Sequence, residues 1–290
     1  MEVKFTKMQG TGNDFVVVDE WNGEVVPTGE KEGFVRRVCA RHFGVGADGL
    51  IFVQKSKTAD VNFVFYNPDG SRAEMCGNGI RCLAKYVYEH KLIGERHIEA
   101  ETLAGTKTLD LEVLEDVVVE VRVNMGAPQV KRGEAQVAGD PKGTLIDEKI
   151  MIHGFEYNIT SVGMGNPHAI IFYGDLEEVD LKTIGPRIRH YGNLFPNGVN
   201  VHFVEEQGEN EFRIRTYERG VEDETLGCGT GICASAVAAV LNKKADPDKP
   251  IRFHARGGDV KVELETNGRD IKEVYLIGPA EEVYTGKIRA

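Results

Sequence analysis

Two similar cysteine-containing segments lie in the two halves of the chain: CGNGIRC at residues 76–82 and CGTGIC at residues 228–233. Apolar residues follow both at helical spacing, which predicts a helix that begins just after Cys76 and another just after Cys228. A helix N-terminus favours the thiolate and lowers the pKa of a cysteine from about 8.5 to ~3.5–7.5. The glycines let the backbone approach a ligand, and the free N–H groups of a helix start bind anions such as carboxylates. The sequence therefore predicts two reactive thiols, each beside an anion-binding turn.

A pair of such thiols suits the inversion of the α-carbon of an amino acid. One thiolate removes the α-proton from one face, and one thiol donates a proton to the other face. The helix N-termini stabilise the charge that develops on the substrate carboxylate between the two steps. Because side chains alone supply this chemistry, we expect no pyridoxal or other cofactor.

The three remaining cysteines, Cys39, Cys82 and Cys233, lie at predicted helix-interior positions and are expected to pack in the core. The spacings C-x5-C and C-x4-C differ from the usual zinc knuckles, so no metal site is expected, although a four-cysteine zinc site is conceivable. Five cysteines are also too few for a disulfide framework. A disulfide between Cys76 and Cys228 would require close approach and would form only on oxidation.

Other segments also recur in the same order in both halves. They are GTGNDFVVVD at residues 10–19 with GMGNPHAIIF at 163–172, and RHFG at 41–44 with RHYG at 189–192. The separations are nearly constant: 153 positions for Asn13 and Asn166, 151 for Tyr66 and Tyr217, and 152 for Cys76 and Cys228. We therefore predict two copies of one domain.

Each half contains several short runs rich in β-branched and aromatic residues and one conspicuous helix. The helix after Cys76 is expected to end at Gly94, and the helix after Cys228 is small and apolar on almost all sides, which predicts burial. The expected class is α+β, with two pseudo-symmetric domains of strands wrapped around a central helix and an active site in the cleft between them. The N-terminal domain is expected to comprise residues 1–123 and 276–290, and the C-terminal domain residues 124–275.

Composition and charge exclude several classes of protein. The chain has 290 residues, of which 41% are hydrophobic, and a net charge of −11. An acidic chain without a basic stripe is not expected to bind nucleic acid. No apolar run reaches the ~20 residues that cross a bilayer, and the first residues lack the apolar core of a signal peptide. We expect a soluble, cytoplasmic protein that does not bind membranes.

The segments QGTGNDF, YNPDGS, MCGNGIRC, GNPHA, YERG and GCGTGIC together resemble the diaminopimelate epimerase family over essentially the whole chain. The resemblance implies a cofactor-independent epimerase that converts LL-2,6-diaminopimelate to the meso isomer in lysine biosynthesis. It also implies that the protein forms a homodimer and that its ligand is this small amino-acid substrate.

The resemblance assigns roles to individual residues. Cys76 and Cys228 match the two catalytic thiols, and His168 and Glu218 match residues that assist near the reacting centre. The residues matching donors to the reacting carboxylate are Gly77, Asn78, Gly229 and Thr230. The residues matching other substrate contacts are Asn13, Asn67, Asn166, Asn200, Glu218 and Arg219.

Some of these residues also have purely structural interpretations. Asn67 and Asn13 are typical turn residues. His168 is compatible with a half-buried structural histidine, and Glu218 and Arg219 are compatible with a surface ion pair.

The chain departs from the family pattern at Gly49, where some bacterial members have Gln, and in residues 219–228, which are one residue longer than the common form. A related racemase of another amino acid and a non-catalytic amino-acid-binding protein are the alternative functions.

Overall fold

The computed structural model describes residues 2–268 and 270–289. The strands of these residues are β1 (Glu2–Gly10), β2 (Asn13–Asp19), β3 (Gly49–Gln54), β4 (Val61–Tyr66), β5 (His97–Glu101), β6 (Lys107–Leu114), β7 (Val117–Gly126), β8 (Glu148–Ile152), β9 (Phe155–Gly163), β10 (Pro167–Phe172), β11 (Asn200–Gly208), β12 (Glu211–Glu218), β13 (Asp223–Thr225), β14 (Ile251–Ala255), β15 (Gly258–Asn267), β16 (Asp270–Gly278) and β17 (Glu281–Arg289). The α-helices are α1 (Lys31–Cys39), α2 (Gly77–Glu89), α3 (Leu181–Arg189) and α4 (Gly229–Leu241).

The chain divides into two compact units. The N-terminal unit comprises the residues up to Asn124 together with those from Ile277 onward, and the C-terminal unit comprises Met125–Leu276. The N-terminal unit is therefore built from two separate segments of the chain, whereas the C-terminal unit is continuous.

The N-terminal unit is one mixed sheet in the order β17, β1, β2, β3, β4, β5, β6, β7. The pairs β2–β3 and β4–β5 are parallel, and the other pairs are antiparallel. Parallel neighbours need a crossover connection. Helix α1 lies in the crossover between β2 and β3, and α2 in the crossover between β4 and β5.

The C-terminal unit repeats this arrangement with β9, β10, β11, β12, β14 and β15, where β10–β11 and β12–β14 are the parallel pairs. The register is the same as well. Phe15 pairs with Gly49 in one unit as His168 pairs with Asn200 in the other, and Ile51 pairs with Phe65 as His202 pairs with Thr216. The predicted α+β class and the duplication are confirmed.

The central helices α2 and α4 are the most deeply buried helices of their units. Every residue of α2 from Gly77 to Tyr88 is buried, and α4 is buried from Gly231 to Ala239. Every second residue of the strands faces away from the central helix and packs against the smaller helix of its unit. In the N-terminal unit, Val16 and Val18 share a core with residues of α1. Each sheet thus has a central helix on one face and a smaller helix on the other.

The two central helices end in the same way. In α2 the N–H groups of Lys91 and Leu92 donate to the carbonyl oxygens of Tyr88 and Val87, and in α4 those of Lys243 and Lys244 donate to Val240 and Ala239. This pairing is a Schellman motif, and it requires a left-handed residue, which is Lys91 with φ 59° and Lys243 with φ 58°. The expectation that the first helix ends at Gly94 was wrong, because the left-handed Lys91 already terminates it after Glu89.

No helix in residues 2–268 or 270–289 has the length and apolar character needed to cross a membrane.

Candidate functional site

Cys76 is the residue that begins helix α2. Its backbone is extended, with φ −144° and ψ 114°, and its Sγ accepts a hydrogen bond from the N–H of Gly79 at 3.4 Å. Ser, Thr, Asp and Asn usually occupy this position, because their side chains satisfy a free N–H of the first turn. The thiol therefore takes the capping role and lies where the helix dipole favours negative charge.

Cys228 begins helix α4 with a similar extended backbone, φ −118° and ψ 107°. Its Sγ lies 3.5 Å from Oγ1 of Thr230, and the residue is buried. The first turns of both helices, residues 77–80 and 229–232, contain no acidic side chain. The positive end of each helix is therefore left to a thiolate or to a bound carboxylate.

Asn13 lies beside Cys76 in the N-terminal unit. Its Oδ1 is 3.8 Å from Sγ of Cys76 and accepts a hydrogen bond from Nδ2 of Asn78 at 3.4 Å. Its own Nδ2 donates to Asp48 at 2.6 Å. Asp48 thereby fixes the amide so that its oxygen is directed toward the thiol. Sequence reasoning missed Asp48, since its position before Gly49 indicates only a turn.

Asn166 corresponds to Asn13, but a different atom of its side-chain amide is bound by a neighbouring residue. Its Oδ1 lies 2.8 Å from Nε2 of the fully buried His168, and an amide oxygen can only accept. The Asn166 amide oxygen is therefore occupied, and its N–H groups are directed away from His168. One asparagine presents an acceptor beside a thiol, whereas the other retains its donors.

His168 lies in a buried row of polar side chains. Its Nδ1 is 2.8 Å from Nε2 of His202, and Nδ1 of His202 is 2.9 Å from Oγ1 of Thr216. Burial, followed by the charges of His202 and Arg219, lowers the pKa of His168 well below its usual value. Burial lowers the pKa of His202 to about 3. Both rings are neutral at physiological pH, and neither His202 nor Thr216 was identified from the sequence.

Asn200 joins two backbone segments of the C-terminal unit. Its Nδ2 donates to the carbonyl of Pro167 at 3.0 Å, and its Oδ1 accepts from the N–H of Arg219 at 2.9 Å. The Arg219 guanidinium donates to the carbonyl of Asn197 at 3.1 Å. Glu218, the last residue of β12, precedes Arg219 directly. Asn200 thus fixes the turn that carries the Glu218–Arg219 pair.

Asn67 lies in a turn directly after β4. Its N–H donates to the carbonyl of Ser71 at 2.9 Å, and its Nδ2 donates to Oγ of Ser71 at 3.0 Å. The predicted turn geometry is present. Asn67 follows Tyr66 as Glu218 follows Tyr217, so the two residues occupy corresponding positions of the two units.

In both units the candidate residues lie at the corresponding end of the sheet, where the strands begin or finish, which we call the sheet edge. The first residues of β2 and β3, the end of β4 and the start of α2 form this edge in the N-terminal unit, and β10, β11, β12 and α4 form it in the C-terminal unit. The residues placed there are Asn13, Asn67, Cys76, Gly77 and Asn78, and Asn166, His168, Asn200, Glu218, Arg219, Cys228, Gly229 and Thr230. Each unit by itself therefore collects its thiol and its polar candidates.

Two glycines of the cysteine segments have a different role from the expected ligand approach. A methyl group on Gly79 would lie 3.3 Å from Cζ of Phe63, and one on Gly231 would overlap the ring of His202. Both glycines therefore face the interior of their units, where they allow the first helical turn to pack closely on the sheet. Gly49 is explained similarly, since a methyl group there would overlap the ring of Phe65.

The remaining cysteines are packing residues, as predicted. The side chains of Cys39, Cys82 and Cys233 are buried. Burial raises the pKa of both Cys39 and Cys82 to about 12. Cys39 is the last residue of α1 rather than an interior one. The thiols of Cys39 and Cys82 therefore stay protonated at neutral pH.

Known proteins resemble this chain over nearly its full length. A family model described as diaminopimelate epimerase matches residues 5–131 and 160–283. The diaminopimelate epimerase of Methanothermobacter thermautotrophicus is 44% identical over 285 residues, covering 98% of both chains. The diaminopimelate epimerase of Pelotomaculum thermopropionicum is 44% identical over 283 residues, again covering 98% of both chains.

Two solved structures share the fold at much lower sequence identity. A phenazine biosynthesis protein of the PhzF family from Bacillus anthracis superposes with a TM-score of 0.73 at 17% identity and full coverage of both chains. A hydroxyproline epimerase from Agrobacterium vitis superposes with a TM-score of 0.68 at 15% identity, covering 99% of this chain and 92% of the other.

Proposed function

The chain belongs to the diaminopimelate epimerase family, and we propose on that basis that it interconverts LL- and meso-2,6-diaminopimelate in lysine biosynthesis. The observation that carries the proposal is the repeated capping cysteine. Cys76 and Cys228 occupy the same position of a duplicated unit, at the start of its central helix. A reaction that needs one proton-transfer group for each face of a carbon explains why both copies keep the thiol.

The reaction consists of two proton transfers. The thiolate of one cysteine removes the α-proton, and its S–H bond forms as the C–H bond breaks. The thiol of the other cysteine then delivers its proton to the opposite face of the planar carbanion. The two cysteines exchange protonation states, and either one acts as the base, depending on which isomer binds. No electrons are gained or lost, so no redox partner is required.

The helix starts bind the carboxylate next to the reacting carbon. The N–H groups near Gly77 and Asn78, and those near Gly229 and Thr230, point out of helix N-termini that carry partial positive charge. Negative charge moves onto this carboxylate as the α-proton leaves, so these donors bind the transition state more tightly than the ground state.

The other polar residues bind the rest of the substrate. Arg219 is suited to a carboxylate, because its guanidinium offers paired donors. Asn13, Asn67, Asn166 and Asn200 combine donors and acceptors that match an amino group and a carboxylate. Glu218 supplies negative charge for an ammonium group, and the neutral His168 assists by donating its Nε2 proton to the amide oxygen of Asn166.

Isotope exchange tests the proposal. The purified protein, incubated with diaminopimelate in heavy water without an added cofactor, is expected to incorporate deuterium at the α-carbon and to invert it. Cys76→Ala and Cys228→Ala are each expected to lose inversion, because each removes one of the two groups. Either variant retains one base, so slow exchange without inversion from one isomer is also expected.

Matched controls are available in the same helices. Cys82→Ala and Cys233→Ala remove buried thiols a few residues further along α2 and α4 and are expected to retain inversion. Full inversion by both Cys76→Ala and Cys228→Ala would overturn the mechanism. Binding of diaminopimelate without exchange, measured by calorimetry, would indicate a binding protein, and inversion of a different amino acid in a substrate panel would indicate a related racemase.

We further propose that the protein is a cytoplasmic homodimer, as the resemblance to the family implies. Light scattering of the purified protein over a range of concentrations is expected to give twice the chain mass of 32.0 kDa.

A further inference from the structure

A row of four hydrogen-bonded side chains crosses the C-terminal unit from strand β12 to the start of strand β10. It consists of Thr216, His202, His168 and Asn166, linked by contacts of 2.9, 2.8 and 2.8 Å. His168 and His202 are fully buried, and Thr216 is 3% exposed. Asn166 and His168, at one end of the row, belong to the candidate residues at the sheet edge, whereas His202 and Thr216 do not.

Hydrogen-bond chemistry gives the row a single direction. The Asn166 oxygen can only accept, so the proton of His168 is on Nε2. A neutral His168 then has an unprotonated Nδ1, which can only accept a hydrogen bond from the Nε2–H group of His202. His202 in turn accepts at Nδ1, and the Thr216 hydroxyl donates to it. Burial favours this neutral state, since it lowers the pKa of both rings.

The corresponding positions of the N-terminal unit are apolar. The shared strand register matches His168 with Phe15, His202 with Ile51 and Thr216 with Phe65, and the rings of Phe15 and Phe65 pack edge to face with centroids 5.9 Å apart. A unit of this fold is therefore stable without the polar row. Two buried histidines need hydrogen-bond partners to offset the cost of burying them, whereas the apolar residues of the N-terminal unit fill the corresponding space without any partner. The polar row is therefore not needed for packing alone, which argues for a further role.

The His202 ring also supports the helix that carries the second thiol. It packs under Gly231 in the first turn of α4, where a methyl group would overlap it. His202 thereby connects three elements: strand β11, to which it belongs, the first turn of α4, and His168 on strand β10. Its side chain lies beneath the site and does not belong to the sheet-edge residues.

We propose that His202 is a positioning residue for the epimerisation: by donating to Nδ1 of His168, it fixes the His168 ring with its proton on Nε2 and so directs the Asn166 amide N–H groups toward the substrate. The inference rests on the proposed function for its catalytic consequence, but its structural part concerns protonation sites alone. Thr216 contributes from one bond further away by holding the tautomer of His202.

Nitrogen NMR of the histidine rings tests the structural part without any activity. In the wild-type protein at neutral pH, His168 is expected to show a protonated Nε2 and an unprotonated Nδ1. His202→Leu removes the donor, and His168 is expected to become a mixture of tautomers. Thr216→Val, which removes only a hydroxyl at nearly constant shape, is expected to shift the His168 signals in the same direction by a smaller amount.

Kinetics test the catalytic part. His202→Leu is expected to lower kcat/KM for diaminopimelate by roughly tenfold, the equivalent of one lost hydrogen bond, mainly through a higher KM. It is also expected to add an ionisation to the acidic limb of the pH profile, because Nδ1 of His168 becomes free to take a proton. His168 faces the ring of His202 and the charge of Arg219, and Arg219 remains charged throughout this range.

The matched control is Ile51→Leu, at the corresponding position of the N-terminal unit. It is expected to leave the His168 signals unchanged and kcat/KM within about twofold of wild type. A wild-type His168 protonated on Nδ1, or folded His202→Leu and Thr216→Val variants with unchanged His168 signals and pH profile, would refute the proposal. A wild-type protein with the expected His168 signals but no turnover of diaminopimelate would instead refute the proposed function.

Discussion

Histidine serves two opposite electrostatic purposes at the residue scale. His202 is fully buried, and burial lowers its pKa to about 3. His254 lies near the surface between Glu211 and Asp259, each 2.8 Å from one of its ring nitrogens. The hydrogen bond to Glu211 is the largest of the influences that raise its pKa. The fold therefore stabilises a neutral ring in one place and a charged ring in the other.

The two histidines predict pH dependences of opposite sign for the free energy of unfolding. Between pH 6.5 and about 3 the unfolded chain protonates His202 but the folded chain does not, so its contribution to stability is present above pH 6.5 and is lost as pH falls. The raised pKa of His254 gives a contribution that is present below pH 6.5 and is lost as pH rises through its folded-state value. Each slope is at most about 1.4 kcal/mol per pH unit.

Urea denaturation at a series of pH values measures both effects. On acidification, the free energy of unfolding of His202→Leu is expected to fall less than that of wild type. His254→Gln is expected to be less stable than wild type at low pH, and this difference is expected to shrink as pH rises. The shared carboxylates cancel in each comparison. Parallel curves for wild type and His202→Leu would show that this ring titrates normally in the folded protein.

The central helices are the elements that position Cys76 and Cys228 in their respective units. Both have 13 residues, begin after a cysteine and end in a Schellman motif. They differ in what lies beneath the third residue: Gly79 packs over Phe63 and Ile51, whereas Gly231 packs over His202. The corresponding glycine therefore packs against apolar side chains in α2 and against a hydrogen-bonded histidine ring in α4.

Alanine at these two glycines is expected to have unequal effects. Both substitutions gain helix propensity of about 0.8–1 kcal/mol. Gly79→Ala needs a shift of a few tenths of an ångström, because its nearest neighbour is 3.3 Å away. Gly231→Ala must displace the His202 ring, and overpacking of this kind costs ~1–3 kcal/mol. Chemical denaturation is expected to show the larger loss for Gly231→Ala, together with slower epimerisation; equal losses would contradict the assignment of His202 to this space.

The elements also show how far the sequence alone could lead. The nearly constant separation of Asn13 from Asn166 and of Cys76 from Cys228 predicted the duplicated fold, because motifs that recur in order at nearly one separation indicate repeated elements. The position of both cysteines at a helix start followed from the spacing of apolar residues after them. The end of α2 was missed, since a lysine rather than a glycine adopts the left-handed conformation.

The polar row could not be predicted from the same patterns. In VNVHFV, His202 replaces one residue of an apolar strand, and nothing in the local sequence distinguishes it from a surface histidine. Its contact with His168 depends on the parallel pairing of β10 and β11, which are separated by a helix. Asp48 was missed for the same reason, because its partner Asn13 is 35 residues away in the chain.

At the scale of the whole chain, the two units differ in how they are assembled. The C-terminal unit is continuous from Met125 to Leu276 and contains two core clusters, one that includes residues of α4 and one that includes residues of α3. The N-terminal unit needs the last segment of the chain. Strand β17 pairs with β1 from Glu2–Arg289 to Gln9–Glu281, and the carbonyl of Pro279 accepts a hydrogen bond from the buried Arg81 at 3.2 Å.

This difference predicts how fragments fold. A fragment of residues 125–276 is expected to unfold cooperatively in urea, whereas residues 2–124 are expected to lack a cooperative transition, because β1 loses a neighbour and Phe5 loses its edge contact with Tyr284. A permuted fragment that joins residues 277–289 to residue 2 through a short linker restores β17, since Arg289 lies opposite Glu2. It is expected to regain the transition.

Circular dichroism and amide NMR dispersion of the three fragments measure these outcomes. A permuted fragment that unfolds no more cooperatively than residues 2–124 would show that β17 is not the missing element. Neither folded fragment is expected to invert diaminopimelate, because each carries only one of the two cysteines that begin the central helices. These outcomes would show that one copy of the domain suffices for folding, whereas inversion of the α-carbon requires both copies.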